Sequence, residues 1–306
     1  MNYNTYLIKN NSKYVKRYTL EEINNIVSLK EREFNILNNK RIYTISTILI
    51  KPNSFILKLD FIKAIITPEL VILFDIENPN VKNFSEFLVE KNLFNMEKLY
   101  ELKCLDIIFS YLCFYYDEQL QMEMERFLIL VKNINNNENN NNNFNNLVNI
   151  HNGLINFETK VKDIKTVIDD LLNSDEDMSK LYISIKDNPI DKHNEVELIL
   201  ENYEKHIQEI LNEISGILKE LDINQRVLNL NYANNRNKIA KLNLNISYTS
   251  LAISLTGLIP NIFGMNLKNN IEDSYLAFML VIFVLLPFVF FISLYFTRYK
   301  NNNINI

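Results

Sequence analysis

The chain has 306 residues, 47% hydrophobic and 23% charged, with a net charge of −5. That is enough apolar material for one large or two ordinary folded domains, and a pI near 5.4 disfavours nucleic acid as a partner. Its two cysteines, Cys104 and Cys113, have no Cys or His nearby at ligand spacing, so they read as core thiols of a reducing compartment.

Residues 1–40 form a basic N-terminal segment. Lys9, Lys13, Lys16 and Arg17 precede the first acid, Glu21, which suits either a targeting sequence or an unordered start. From Arg41 to Asp75 the pattern turns β-like in "RIYTISTILIK", "FILKLDFIKAII" and "ELVILFD", with turns at Pro52-Asn53 and Pro68. Helical spacing runs from Phe84 to about Val131, and again from about Asn145 to Asp170. Between them an Asn-rich insert, residues 135–146, predicts a solvated loop. "LLNSDEDMSKLYIS" reads as a helix-to-helix connection. Residues 41–193 together are expected to form an α/β and helical soluble domain.

From Asn194 the helical pattern continues to Phe263. Residues 194–241 make a stalk studded with Glu195, Glu197, Glu201, Glu204, Glu209, Glu213, Glu220 and Asp222. So long a helix is expected to pack against copies or neighbours. Residues 242–263 and 275–297 contain no Asp, Glu, Lys, Arg or His. Each is roughly 22 residues long, against about 20 needed to span a bilayer. They are read as two transmembrane helices joined by a loop over 264–274 and followed by a basic tail, 298–306. Arg236, Lys238 and Lys241 lie before the first span, and Arg298 and Lys300 after the second. The positive-inside rule places both termini on the cytoplasm- or matrix-like side.

A second pattern lies within the first span. Stepping from Arg236 by four, then three, meets Ala240, Asn243, Ser247, Ser250, Ser254, Gly257, Asn261 and Gly264, all small or polar. A seven-residue repeat of this kind keeps one stripe facing a common axis in a supercoiled bundle. Small residues at this spacing also serve close helix packing. The polar ones need partners in lipid, which a water-filled axis would supply. Magnesium suits such a stripe, because it gives up its water reluctantly and can be held through it by amides and hydroxyls. Asn266, just beyond the span, would be the first such ring, with Glu272 and Asp273 drawing cations towards it.

The "FGMN" stretch, a short polar loop and a second span resemble the CorA superfamily of magnesium channels. "IKAIITPELVILFD" (62–75), "DEDMSKLYIS" (175–184), "VELILENYEKHIQEI" (196–210) and "NNRNKI" (234–239) look like its eukaryotic mitochondrial branch. The resemblance implies an α+β soluble N-terminal domain, a long stalk helix and two transmembrane helices, assembled as a pentameric funnel. The first span would line the pore, and Gly264, Met265 and Asn266 would form the selectivity filter. Arg236 would form a positive ring at the inner end. Mg2+ would be the transported ion and a regulator, with Asp175, Glu176 and Asp177 as an inner sensor competing with a plain loop. Partners would be copies of the chain, membrane lipid and divalent cations, in a mitochondrial inner membrane with the termini in the matrix. Ala233 stands where the family commonly has an acid, and Ile223 with Asn224-Gln225 replaces an acidic segment, which removes carboxylates from the inner mouth.

A less selective channel for cobalt, nickel or zinc keeps the same fold, although the stripe offers no Cys or His. A membrane-tethered helical scaffold without conduction is the reading from another class. An enzyme is the least favoured. There is no Gly-rich phosphate loop, and the three histidines, His151, His193 and His206, are expected to face solvent.

Overall fold

The computed structural model describes residues 2–9, 12–27, 45–91, 99–135, 140–185 and 193–265. Beyond these it describes 274–276, 278–280, 282–284, 287 and 290–291. The chain divides into two compact units, Met1–Asn224 and Gln225–Ile306.

The first unit is built on a six-stranded antiparallel sheet. Its strands are β1 (Asn2–Lys9), β2 (Ser12–Thr19), β3 (Thr47–Lys51), β4 (Ser54–Leu59), β5 (Ile62–Ile66) and β6 (Val71–Leu73), in the order β2-β1-β6-β5-β4-β3. β4 and β5 are buried along their whole length, as central strands covered on both faces should be. One face holds Ile56, Ile65, Ile72 and Phe74 with Tyr18, and helix α1 (Leu20–Val27) lays Ile23 and Val27 on it. The alternate residues Phe55, Leu57, Ala64 and Leu73 are buried on the other.

The sheet changes the reading of the N-terminus. Residues 2–9 and 12–19 are a register-matched hairpin, Asn2 opposite Thr19 and Lys9 opposite Ser12, and β1 also pairs with β6. Period-2 alternation was the missed signal, since Tyr6 and Ile8 of β1 are buried while Leu7 and Lys9 are half-buried. Lys13 places its ammonium 4.0 Å from the centroid of Tyr6, and Lys16 lies 4.5 Å from that of Tyr18.

A capping box starts α1. The Thr19 N–H donates to the Glu22 carboxylate at 2.8 Å, and the Glu22 N–H donates to Thr19 Oγ1 at 3.3 Å. The backbone bond from Thr19 is the main cause that holds the Glu22 carboxyl below its ordinary value of 4.5. A depressed carboxyl stabilises the fold above its unfolded pKa, and that contribution fades as pH falls through the folded one. Wild type is therefore expected to melt higher than Glu22→Gln at neutral pH, with the gap closing below pH 4.5. A gap that stays constant through the acid range would show that the cap does not depend on charge.

Helix α2 (Pro79–Glu90) begins with Asn78 accepting from the Asn80 N–H at 3.0 Å and with Pro79 in the first turn. Helices α3 (Tyr100–Asn135) and α4 (Asn140–Leu172) follow and pack along each other. Asn135 and residues 140–146 are helical, so most of the expected Asn-rich loop extends these two helices; 136–139 lie outside the described residues. Asn is a poor helix former but a tolerable one where the two helices support each other. Cys104 and Cys113 are free and buried in α3, and burial pushes the Cys113 thiol up to about 12.

The turn between β4 and β5 locks the sheet to this pair. Phe61 sets its ring edge-on to Tyr111 and Tyr115 of α3, at 6.3 and 4.9 Å. Asp60 adopts φ +47° and meets Lys160 of α4 at 3.3 Å.

After the short helix α5 (Asp175–Lys180), α6 runs unbroken from Asn194 to Phe263. Its residues to 224 belong to the first unit. Val196, Leu200, Ile207, Ile210, Ile214, Ile217 and Leu221 are buried on one side, at helical spacing. Tyr203 donates to Asp106 at 2.6 Å, and His206 Nε2 lies 2.9 Å from Asp117, both on α3. Lys165 of α4 meets Glu204 at 2.8 Å. The first part of the expected stalk thus packs within its own chain rather than waiting for copies. Only one histidine, His193, departs from the expected solvent-facing place, since the side chains of His151 and His206 are 31% and 43% exposed. His193 is 13% exposed, 3.7 Å from Asp175 and 3.8 Å from Glu197, and His151 lies 3.7 Å from Asp222.

Candidate functional site

The second unit carries the rest of α6. At about 100° per residue, Arg236, Ala240, Asn243, Ser247, Ser250, Ser254, Gly257 and Asn261 fall on one side of the helix. All are exposed except Gly257, which is half-buried. Ala252 and Thr256 are buried, and Asn245 is half-buried. Those three point about 180° away from the stripe. The helix therefore has a covered back and an open, polar front. Leu244, Leu251, Leu255 and Leu258 flank the front on one side, and Leu242, Ile246 and Ile253 on the other, all exposed.

The hydroxyls of the stripe are partly satisfied by the helix itself. Ser247 Oγ donates to the Asn243 carbonyl at 2.9 Å, and Ser254 Oγ donates to the Ser250 carbonyl at 2.9 Å. Their protons are spent inside the helix, so these two do not need water as an acceptor. What they offer outwards is oxygen lone pairs. The amides of Asn243 and Asn261 lie on the exposed side and make no such bond among the described residues.

Gly264 and Met265 follow the helix end directly and are exposed, with the Met265 N–H donating to the Ile262 carbonyl at 3.3 Å. Asn266, Glu272 and Asp273 lie outside the described residues. Helical backbone reappears at 275–276, 278–280 and 282–284, with Tyr275, Leu276, Phe278 and Phe283 exposed. Among the described residues no helix is long and apolar enough to cross a membrane. The stripe's amides and hydroxyls lower the mean hydropathy of the first expected span, and the second expected span is described only in part.

The three acids of the expected inner sensor each have a partner within the chain. Ser174 caps α5 by accepting from the Asp177 N–H at 3.2 Å, and acids in the first turn suit the helix dipole. Glu176 pairs with Lys180 at 2.7 Å, Asp177 lies 3.7 Å from the same ammonium, and Asp175 lies beside His193. The Lys180 bond holds the Glu176 carboxyl below its ordinary range. Among the described residues no three His, Cys, Asp or Glu side chains gather as metal ligands.

The model of the MRS2-like magnesium transporter family matches residues 7–236, from β1 to the start of the stripe. The chain belongs to the MRS2-like family. A relative named as the mitochondrial magnesium transporter MRS2 of Saccharomyces cerevisiae is 27% identical over 257 residues, 82% of this chain and 54% of that protein. One named as a mitochondrial inner membrane magnesium transporter, LPE10 of Yarrowia lipolytica, is 30% identical over 77% of this chain and 54% of its own length. The mitochondrial MRS2 homologue of Mus musculus is 26% identical over 79% of the chain and 60% of its own length. The chain thus spans about half the length of the first two of these MRS2-like relatives. In three dimensions it resembles the CorA magnesium transporter from Methanocaldococcus jannaschii, with a TM-score of 0.70 at 11% identity over 96% of this chain and 98% of that one. The full-length CmaX protein matches with a TM-score of 0.55 at 10% identity. Both show the fold alone: a CorA-like α/β unit followed by a long helix.

Proposed function

We propose that this MRS2-like chain forms a homopentameric channel that passes hydrated Mg2+ across the mitochondrial inner membrane into the matrix. The observation that carries the reading is the two-sided character of α6 beyond residue 236, a polar front between two exposed apolar flanks. In water those flanks would cost about 25 cal/mol per Å2 of apolar surface. Lipid, the residues of the second span and neighbouring copies would cover them, and the polar front would then face a wet axis. The names of the relatives point to the same ion and the same membrane.

The front also suits the ion chemically. A hydrated magnesium ion presents water hydrogens outwards, so a ring around it must accept hydrogen bonds. Ser247 and Ser254 have given their own protons to the helix and can only accept. Asn243, Asn261 and Asn266 can accept through their amide oxygens. No carboxylate stands on the stripe, so the ion is held weakly enough to leave. Inward flow is driven by the membrane potential, about 2.3 kcal/mol per charge per 100 mV.

The purified full chain in proteoliposomes, under an imposed inside-negative potential, is expected to admit Mg2+. Cobalt(III) hexammine, an inert ion the size of the hydrated one, is expected to block that entry. Entry that ignores the hexammine would overturn recognition through water. No entry through an intact oligomer would overturn the channel and leave the tethered scaffold.

A further inference from the structure

The second unit carries an unbalanced charge that the channel reading leaves without a role. Gln225–Ile306 holds seven Lys or Arg and only two acids, Glu272 and Asp273. Both acids follow the first expected span, in the loop. Six of the seven basic residues lie before that span or after the second one. No acid occurs between Asp222 and Glu272, nor after Asp273. At the inner end of the spans this unit has no carboxylate of its own to answer its cations.

Two of these cations have a direction and a depth. Lys238 and Lys241 are exposed on α6, and neither side chain makes a hydrogen bond or ion pair among the described residues. At about 100° per residue both lie more than about 120° from the stripe, on the side of Asn245, Ala252 and Thr256. Arg236 lies on the stripe itself. Three residues apart, the lysines are neighbours on one face, with Cβ atoms about 5–6 Å apart. Lys241 directly precedes the expected span that begins at Leu242. The headgroup layer is about 5–7 Å deep on each side of the hydrocarbon, which is about four residues of helix. Residues 238–241 fill that layer. With the stripe turned to a wet axis, the two ammonium groups point outwards into it. Asp222, the nearest acid earlier in the chain, comes sixteen residues before Lys238, outside the reach of a pair along a helix.

We propose that Lys238 and Lys241 hold the headgroup phosphate of an anionic phospholipid in the leaflet on the side of the termini. This assignment rests on the channel reading, because the face given to the stripe decides which way the pair points. A phosphodiester at this depth accepts from both ammonium groups and supplies the negative charge that the unit lacks. Leu242, exposed one turn deeper than Lys238, offers apolar surface to the acyl chains of the same molecule.

The test uses the purified full chain in detergent at constant ionic strength. Phosphatidylglycerol or phosphatidylcholine is titrated in, and the lipids held by the intact protein are counted by native mass spectrometry. Wild type is expected to bind phosphatidylglycerol at least about tenfold more tightly than phosphatidylcholine. Lys238→Gln and Lys241→Gln should each lower that preference by about fivefold, the usual effect of one basic residue at an anionic surface. Arg236→Gln should keep it, since Arg236 faces the axis. Equal binding of the two lipids by wild type overturns the proposal. So does an equal loss in Arg236→Gln, which would mean diffuse attraction to any basic residue. Inorganic phosphate that displaces phosphatidylglycerol would assign a free anion and overturn the lipid. Mg2+ entry without a preference for phosphatidylglycerol would retire this site and leave the channel standing. Failure to hold either lipid would overturn the membrane spans, and the channel with them.

Discussion

Asn266→Ala is expected to abolish selective magnesium entry while leaving the oligomer and the α/β unit intact. In sequence Asn266 directly follows Met265, which is exposed just past the end of α6. A carboxamide there can accept from the outer waters of a hydrated ion; a methyl group cannot. Each lost hydrogen bond is worth about 1 kcal/mol. A ring of copies repeats the loss, and about 1.4 kcal/mol changes a rate tenfold. The entry rate should therefore fall by more than about 100-fold. The measurement is Mg2+ influx into proteoliposomes, with size-exclusion chromatography to confirm assembly. Undiminished influx would move selectivity down the stripe to Asn261, Ser254 or Asn243.

The largest expected effect on stability is at Tyr116. Its side chain is fully buried in α3, and its ring meets Phe157 of α4 edge-on at 5.7 Å. Its hydroxyl reaches Asp60 in the β4–β5 turn at 3.5 Å. Tyr116 therefore ties the β4–β5 turn to both long helices. Tyr116→Ala should cost about 3–5 kcal/mol, as a large aromatic removed from a core does. Tyr116→Phe should cost no more than about 1 kcal/mol, because the hydroxyl contact is long and Lys160 still answers Asp60. Thermal unfolding of the purified chain reads both. A Phe variant as damaged as the Ala variant would mean that the hydroxyl, not the ring, holds the junction.

Much of the architecture was legible because period and composition speak locally. The run at 54–66 read as strand because it is dense in Ile, Leu and Phe, as strands covered on both faces are. The helix from Asn194 to Phe263 read correctly from end to end, since it contains few helix breakers and keeps a 3.6-residue period. The N-terminal hairpin did not read as one. Its lysines dominate a composition count, and its alternation gains meaning only once β6 is beside β1.

The candidate site divides in the same way. The small and polar stripe from Arg236 to Asn261 is a property of sequence and helix geometry alone, as is the match of residues 7–236 to the MRS2-like family. Folding was needed to show that Ala252 and Thr256 cover the opposite side, and that Ser247 and Ser254 spend their protons within the helix. Folding also showed that the acids at 175–177 pair with Lys180 and His193. The pairing within the sheet lies furthest from sequence. Residues 47, 58 and 63 become neighbours only through strand register, and register depends on which faces are buried, a property of the assembled sheet rather than of any one strand.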